Sequence, residues 1–246
     1  MAHVKRHPHR GTARRAAPLA AVALALLLPA TALAAQAPAP AARAAATDCT
    51  LNGVPQPGPD IIGTNADDTI VCSSLDAGHT VEALGGADTI TLTGGIDGNV
   101  RGGDGGDRIT LAGNSASVGP MGSIDGQFGD DTITIEALVL GAVRGGQHND
   151  TVHFVNGSSM ASRTLVRGAR GHDNLTFDDE VEVSGTVEGA EEDDVIRVFG
   201  TVTQNGEVLG GTGDDDVHVH NNQGAVDARP GENDRCVVDM GRPCLR

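Results

Sequence analysis

The sequence predicts an all-β chain wound as a parallel β-solenoid (β-roll or β-helix) of about nine turns of ~21 residues. Three observations carry that prediction. A Gly- and Asp-rich segment recurs every 19–24 residues from Asp68 to Asp234. Each recurring aspartate is followed two residues later by an apolar residue, and eight of these have a second apolar residue nine positions upstream. Finally, 246 residues include no Trp, no Tyr and only four Phe, so the bulky fillers of an ordinary sandwich or α/β core are missing.

Taken in order, the chain opens with basic MAHVKRHPHRGTARR, then the apolar run Leu19–Leu28 and the small-residue stretch ATALA. This reads as a signal peptide over 1–34, cut after Ala34, with an apolar core too short to span a membrane. Residues 35–47, mostly Ala and Pro, read as a linker. Residues 48–246 form the solenoid domain. Past the signal there is no lysine, and 33 acidic residues stand against 12 arginines, a net charge near −21. That balance argues against nucleic acid and anionic membrane surfaces as partners. Four cysteines in an exported chain imply two disulfides. Of three connectivities, Cys49–Cys72 with Cys236–Cys244 is preferred because each pair would staple one end, with Cys72 and Cys236 expected on one rung of the stack.

The repeats align on Asp68, Asp88, Asp107, Asp131, Asp150, Asp173, Asp194 and Asp215, with a degenerate ninth at Asp234. Ile70, Ile90, Ile109, Ile133, Val152, Leu175, Ile196 and Val217 follow them; Ile61, Val81, Val100, Ile124, Val143, Val166, Val187 and Val208 precede these by nine. The return connection varies from 9 to 15 residues, so one edge has a fixed length and needs a constraint. Its residues supply one. The first motif position is Gly in all eight good copies but Ala83, the fourth is Gly in five, and the sixth is always Asp. Glycine lets carbonyls turn inward and aspartate adds a carboxylate, the all-oxygen set that a hard cation takes. Behind each aspartate, runs such as Ile109-Thr110-Leu111 alternate with period two, which predicts short strands with one face inward, Phe154 and Phe177 included.

GGDGGDRIT (102–110) and GGTGDDDVH (210–218) resemble the Gly-rich nonapeptide GGxGxDxUx of calcium-binding RTX, or hemolysin-type, repeat proteins. The resemblance covers 61–236 in degraded form, on one edge only, with Ala66, His148 and Glu192 in place of the fourth glycine. It implies calcium between successive turns, held by loop carbonyls and the sixth-position carboxylates of Asp88, Asp107, Asp131, Asp150, Asp173 and Asp215. The cradles it implies are Gly102–Asp107 (with Asp104 and Gly105), Gly126–Asp131 (with Gly129), Gly168–Asp173 and Gly210–Asp215 (with Gly213).

The function expected is therefore that of a secreted, non-catalytic calcium-binding structural or interaction protein. Calcium would drive its folding outside the cell, and its extracellular or cell-wall partner is unnamed by the sequence. The alternative is a metal-free or ice-binding solenoid using an outward threonine face, with TxT pairs at Thr89/Thr91 and Thr132/Thr134. A β-helical polysaccharide enzyme is disfavoured by the missing Lys, Trp and Tyr. His218 and His220 share a strand face and suggest at most a surface transition-metal pair.

Overall fold

The structure, a computed structural model, describes residues 47–245. The expected signal peptide and all of the linker before Thr47 lie outside the described residues. Thr47 itself begins the first strand, Thr47–Leu51.

Alternating apolar residues set the architecture. In each coil one strand enters the aspartate loop and a second leaves it. The entering strands, from Ile61–Thr64 through Asn99–Asp104 and Ser123–Phe128 to Ala225–Asp227, build a nine-stranded parallel sheet. The leaving strands, such as Arg108–Leu111, Thr132–Ile135 and Thr151–Phe154, stack in a second sheet. Pairing is parallel and in register, so Ile109 sits beside Ile133 and Ile133 beside Val152. Like residues thus form inward columns: Ile61 to Val226, Ile70 to Val217, and Leu92 to Val219, nearly all fully buried. Phe154 and Phe177 lie in the last of these with rings stacked at 4.9 Å, both fully buried as expected.

The variable return connections carry a third short face that periodicity did not announce. Ser117–Val118, Leu138–Val139, Ser159–Met160 and Glu182–Val183 stack on one another there. Val118, Val139 and Val183 close the core on that side. Two residues of pairing suffice because these stretches need only present one side chain inward; the remaining length bulges outward, which is why its length is free to vary.

The first coil is covered by the antiparallel pair Thr47–Leu51 and Val54–Gln56. Both expected disulfides are present, Cys49–Cys72 and Cys236–Cys244. The expectation that Cys72 and Cys236 share a rung is corrected: Cys72 pairs with Leu92, in the column that runs to Val219, whereas Cys236 pairs with Val217, in the column that starts at Ile70. Each cysteine stands where its own partner can reach it, Cys49 directly across an antiparallel pair and Cys244 on the chain's closing tail. Among the described residues no helix is long and apolar enough to cross a membrane.

Candidate metal site along the inner aspartate row

The six-residue motifs that join entering to leaving strands, whose first three residues end the entering strand, have two left-handed positions. The fourth motif residue has φ of +119° at Gly129 and +135° at Gly105 and Gly213. His148 (+83°) and Glu192 (+76°) adopt the same turn despite their side chains. The second position is left-handed too, at Leu84, Gln127, Ala169 and Ala190. These turns aim the sixth residue, aspartate, back beneath its own loop.

The result is a continuous row. Asp88, Asp107, Asp131, Asp150, Asp173, Asp194 and Asp215 are 1–2% exposed. The N–H of each donates to Oδ1 of its counterpart one coil on: Asp107 to Asp131 at 2.7 Å, Asp131 to Asp150 at 2.8 Å, and so to Asp234. An outer ladder runs the other way. Ala87 N–H donates to Asp67, Asn149 N–H to Asp130, and Asp214 N–H to Asp193, at 2.8–3.0 Å. Every coil is thereby stitched to both neighbours by carboxylates caught on backbone amides.

One oxygen of each inner carboxylate is left over. Oδ2 of Asp88, Asp107, Asp131, Asp150, Asp173, Asp194, Asp215 and Asp234 is buried without a hydrogen-bond partner. Such an atom carries a desolvation cost that a proton or a cation would relieve. In every coil from Asp107 to Asp215 the first-position glycine sits directly over it. A β-carbon on Gly126 would run into Asp131 Oδ2 and would lie 2.5 Å from the Gly145 carbonyl oxygen of the next coil. A carboxylate oxygen and a backbone carbonyl therefore converge on the space the missing side chain leaves. Burial, reinforced by neighbouring aspartate charges, pushes Asp131 up to about 7 and Asp150 and Asp194 up to about 8. Asp88 and Asp173 rise to about 6, again chiefly through burial.

Asp68 breaks the series. Burial would raise it, but the Asn52 amide at 2.6 Å and the Thr64 N–H and hydroxyl satisfy both its oxygens and hold it below the usual carboxylate range. Of the residues singled out from the sequence, the glycines at 102, 126, 168 and 210 overlie the row, and those at 105, 129 and 213 make its left-handed turns. Asp104 does not join: it is exposed at the end of its strand. Asp194, not among the carboxylates named from the resemblance, has the same buried geometry as its neighbours. Among the described residues no three His, Cys, Asp or Glu side chains gather in a way that could hold a metal. A cation here would rest on one carboxylate per coil plus loop carbonyls, the oxygen-only chemistry of calcium rather than that of zinc. His218 and His220 instead both engage Asp239 of the next coil, at 3.0 and 3.1 Å.

No family model and no curated protein matches the chain. Among solved structures it is similar to a hyperactive, Ca2+-dependent, β-helical antifreeze protein from an Antarctic bacterium, at 24% identity and a TM-score of 0.53. The match covers 73% of this chain and 59% of that one, so this chain spans well under two thirds of its length. The likeness shows the fold: a β-helix.

Proposed function

We propose that this chain is a secreted, non-catalytic calcium-binding solenoid whose inner aspartate row takes up Ca2+ between coils and thereby completes folding outside the cell. The observation that carries it is the row of buried, partnerless Oδ2 atoms in successive coils, with a carbonyl of the next coil turned toward the same space over Asp107, Asp131, Asp194 and Asp215. Each coil buries only a few apolar side chains against about 21 ordered residues, and the chain is strongly acidic, so a bound cation has much to contribute. The Ca2+ dependence of the structurally similar β-helical protein supports this reading, and the two disulfides support an oxidising, extracellular setting. The test is far-UV circular dichroism of the chain from Ala35, disulfides intact, in EDTA and then through calcium to about 10 mM, with calorimetry alongside. Coil turning to β-signal near ~1 mM is expected; an unchanged β-spectrum without calcium heat overturns the proposal.

A second reading has its own observation. Outward side chains of the leaving strands stand in register, giving Thr69, Thr89, Thr132 and Thr151 in one column and Thr91, Thr110, Thr134 and Thr176 in the next. Arg108 and His153 interrupt the columns. An ice-binding role for this face is tested by thermal hysteresis of the calcium-saturated chain, and Thr110→Leu with Thr134→Leu should abolish any hysteresis found.

A further inference from the structure

The entering-strand sheet carries an unexpected basic groove on a protein that is otherwise acidic. Midway along the stack, a depression of about 870 Å³ spans several coils. Arg144 rises from the centre of the sheet, half-buried, and Arg163 stands exposed on the loop leading into Leu165–Arg170. Both arginines line this groove, and neither forms an ion pair among the described residues. Other arginines on the same face are spoken for: Arg101 by Glu82 at 3.0 Å, Arg167 by Glu188 at 3.3 Å, Arg170 by Glu191 at 3.0 Å. No Asp or Glu lines the depression. Asp125, one rung from Arg144, feels its charge without bonding it. Arg144 also lines an adjoining groove of about 340 Å³, beside the half-exposed ring of Phe128.

The walls narrow the ligand. Pro120, Met121, Leu140 and Leu165 present C–H surface, and Met121 is 74% exposed. Ser123, Ser162 and Asn99 place hydroxyl and amide groups among them. Mixed C–H and polar walls around a guanidinium fork match a sugar ring bearing an oxyanion. A peptide strand would need a free sheet edge, and this groove lies mid-sheet, far from the edge strands Ile61–Thr64 and Ala225–Asp227. A net charge near −21 repels densely charged polymers. We propose that the groove holding Arg144 and Arg163 binds an oxyanion-bearing glycan whose charges are sparse, separated by neutral sugars.

The test uses the full mature chain with calcium present, by isothermal titration. Probes are a hexasaccharide alternating glucuronate with N-acetylglucosamine, a galactan hexasaccharide carrying scattered sulfate esters, neutral chitohexaose and hexaglutamate. Binding of either acidic sugar, weakened at least about tenfold in Arg144→Ala/Arg163→Ala, is expected; whichever binds tighter identifies the oxyanion as carboxylate or sulfate. Thermal melts of the double variant should match the parent, because neither guanidinium supports the fold. Three results overturn the proposal: no binding of either acidic sugar at about 10 mM, a level beyond that of useful weak recognition; equal binding by the double variant, as calcium bridging to acidic loops would give; or hexaglutamate bound as tightly as the sugars. None of these depends on whether calcium drives folding.

Discussion

Asp131 shows what a single position contributes. Its Oδ1 is committed to the Asp107 amide and its Oδ2 to nothing. Asp131→Asn keeps the first bond and turns the orphan into a donor facing the Gly145 carbonyl. In EDTA this variant is expected to melt higher, by about 1 kcal/mol or ~2–4 °C, while calorimetry in calcium should show fewer ions bound. Glycine over the row is tested by Gly126→Ala, whose new methyl meets Asp131 and should cost about 1–3 kcal/mol. Gly95→Ala, which would place nothing within 4 Å of its β-carbon, should stay within ~0.5 kcal/mol. The inner aspartates were legible because one residue type recurs at one position. The second left-handed position was not, since Leu84, Gln127 and Ala169 carry no glycine to mark it. Asp104 misled for the opposite reason: its side chain is the right chemistry, but the left-handed Gly103 before it breaks the inward alternation of Val100 and Gly102 and leaves it exposed.

At the scale of the loop-and-strand unit, burial shifts the inner carboxylates in one direction. Their folded-state values, raised to between about 6 and 8 for five of them, exceed the ordinary unfolded value of 3.8. The folded chain therefore holds extra protons. The stability they contribute is complete below about pH 4, where both states are protonated, and is lost as pH rises through 6–8. Without calcium, melting temperature is expected to climb as pH falls from 9 to 5; with calcium the order reverses, because the ion needs ionised carboxylates. Melts at the two pH values, with EDTA and with calcium, check both signs. The strands flanking the loops were legible from period-two alternation. The third face was not, because two-residue strands such as Leu138–Val139 and Ser159–Met160 are too short to show a period. The antiparallel cover over the first coil also escaped, since it lies outside the repeat.

Across the whole molecule each coil contacts chiefly its neighbours, so stability adds along one axis and fraying starts at the ends. Among the described residues the C-terminal end is closed by the tail and Cys236–Cys244. Cys236→Ser with Cys244→Ser is expected to speed amide exchange across Arg235–Gly241 strongly, with little change at Thr132–Ile135; uniform acceleration would contradict end-limited opening.

The two opposed carboxylate ladders have one more consequence. On the inner row each coil offers a carboxylate to the amide before it and an amide to the carboxylate after it, so every interior boundary shares that clasp, while the outer one is added only where Asp or Asn stands in the fifth motif position. Only the first inner aspartate lacks a preceding amide, and Asn52 of the antiparallel cover takes that place. Such a chain can gain or lose length only in whole coils: one added turn brings its own clasps and leaves both ends as they were, whereas a fraction of a turn strands a carboxylate with no amide to hold. The protein is in this sense a ruler with a fixed graduation, and its natural mode of variation is in the number of marks.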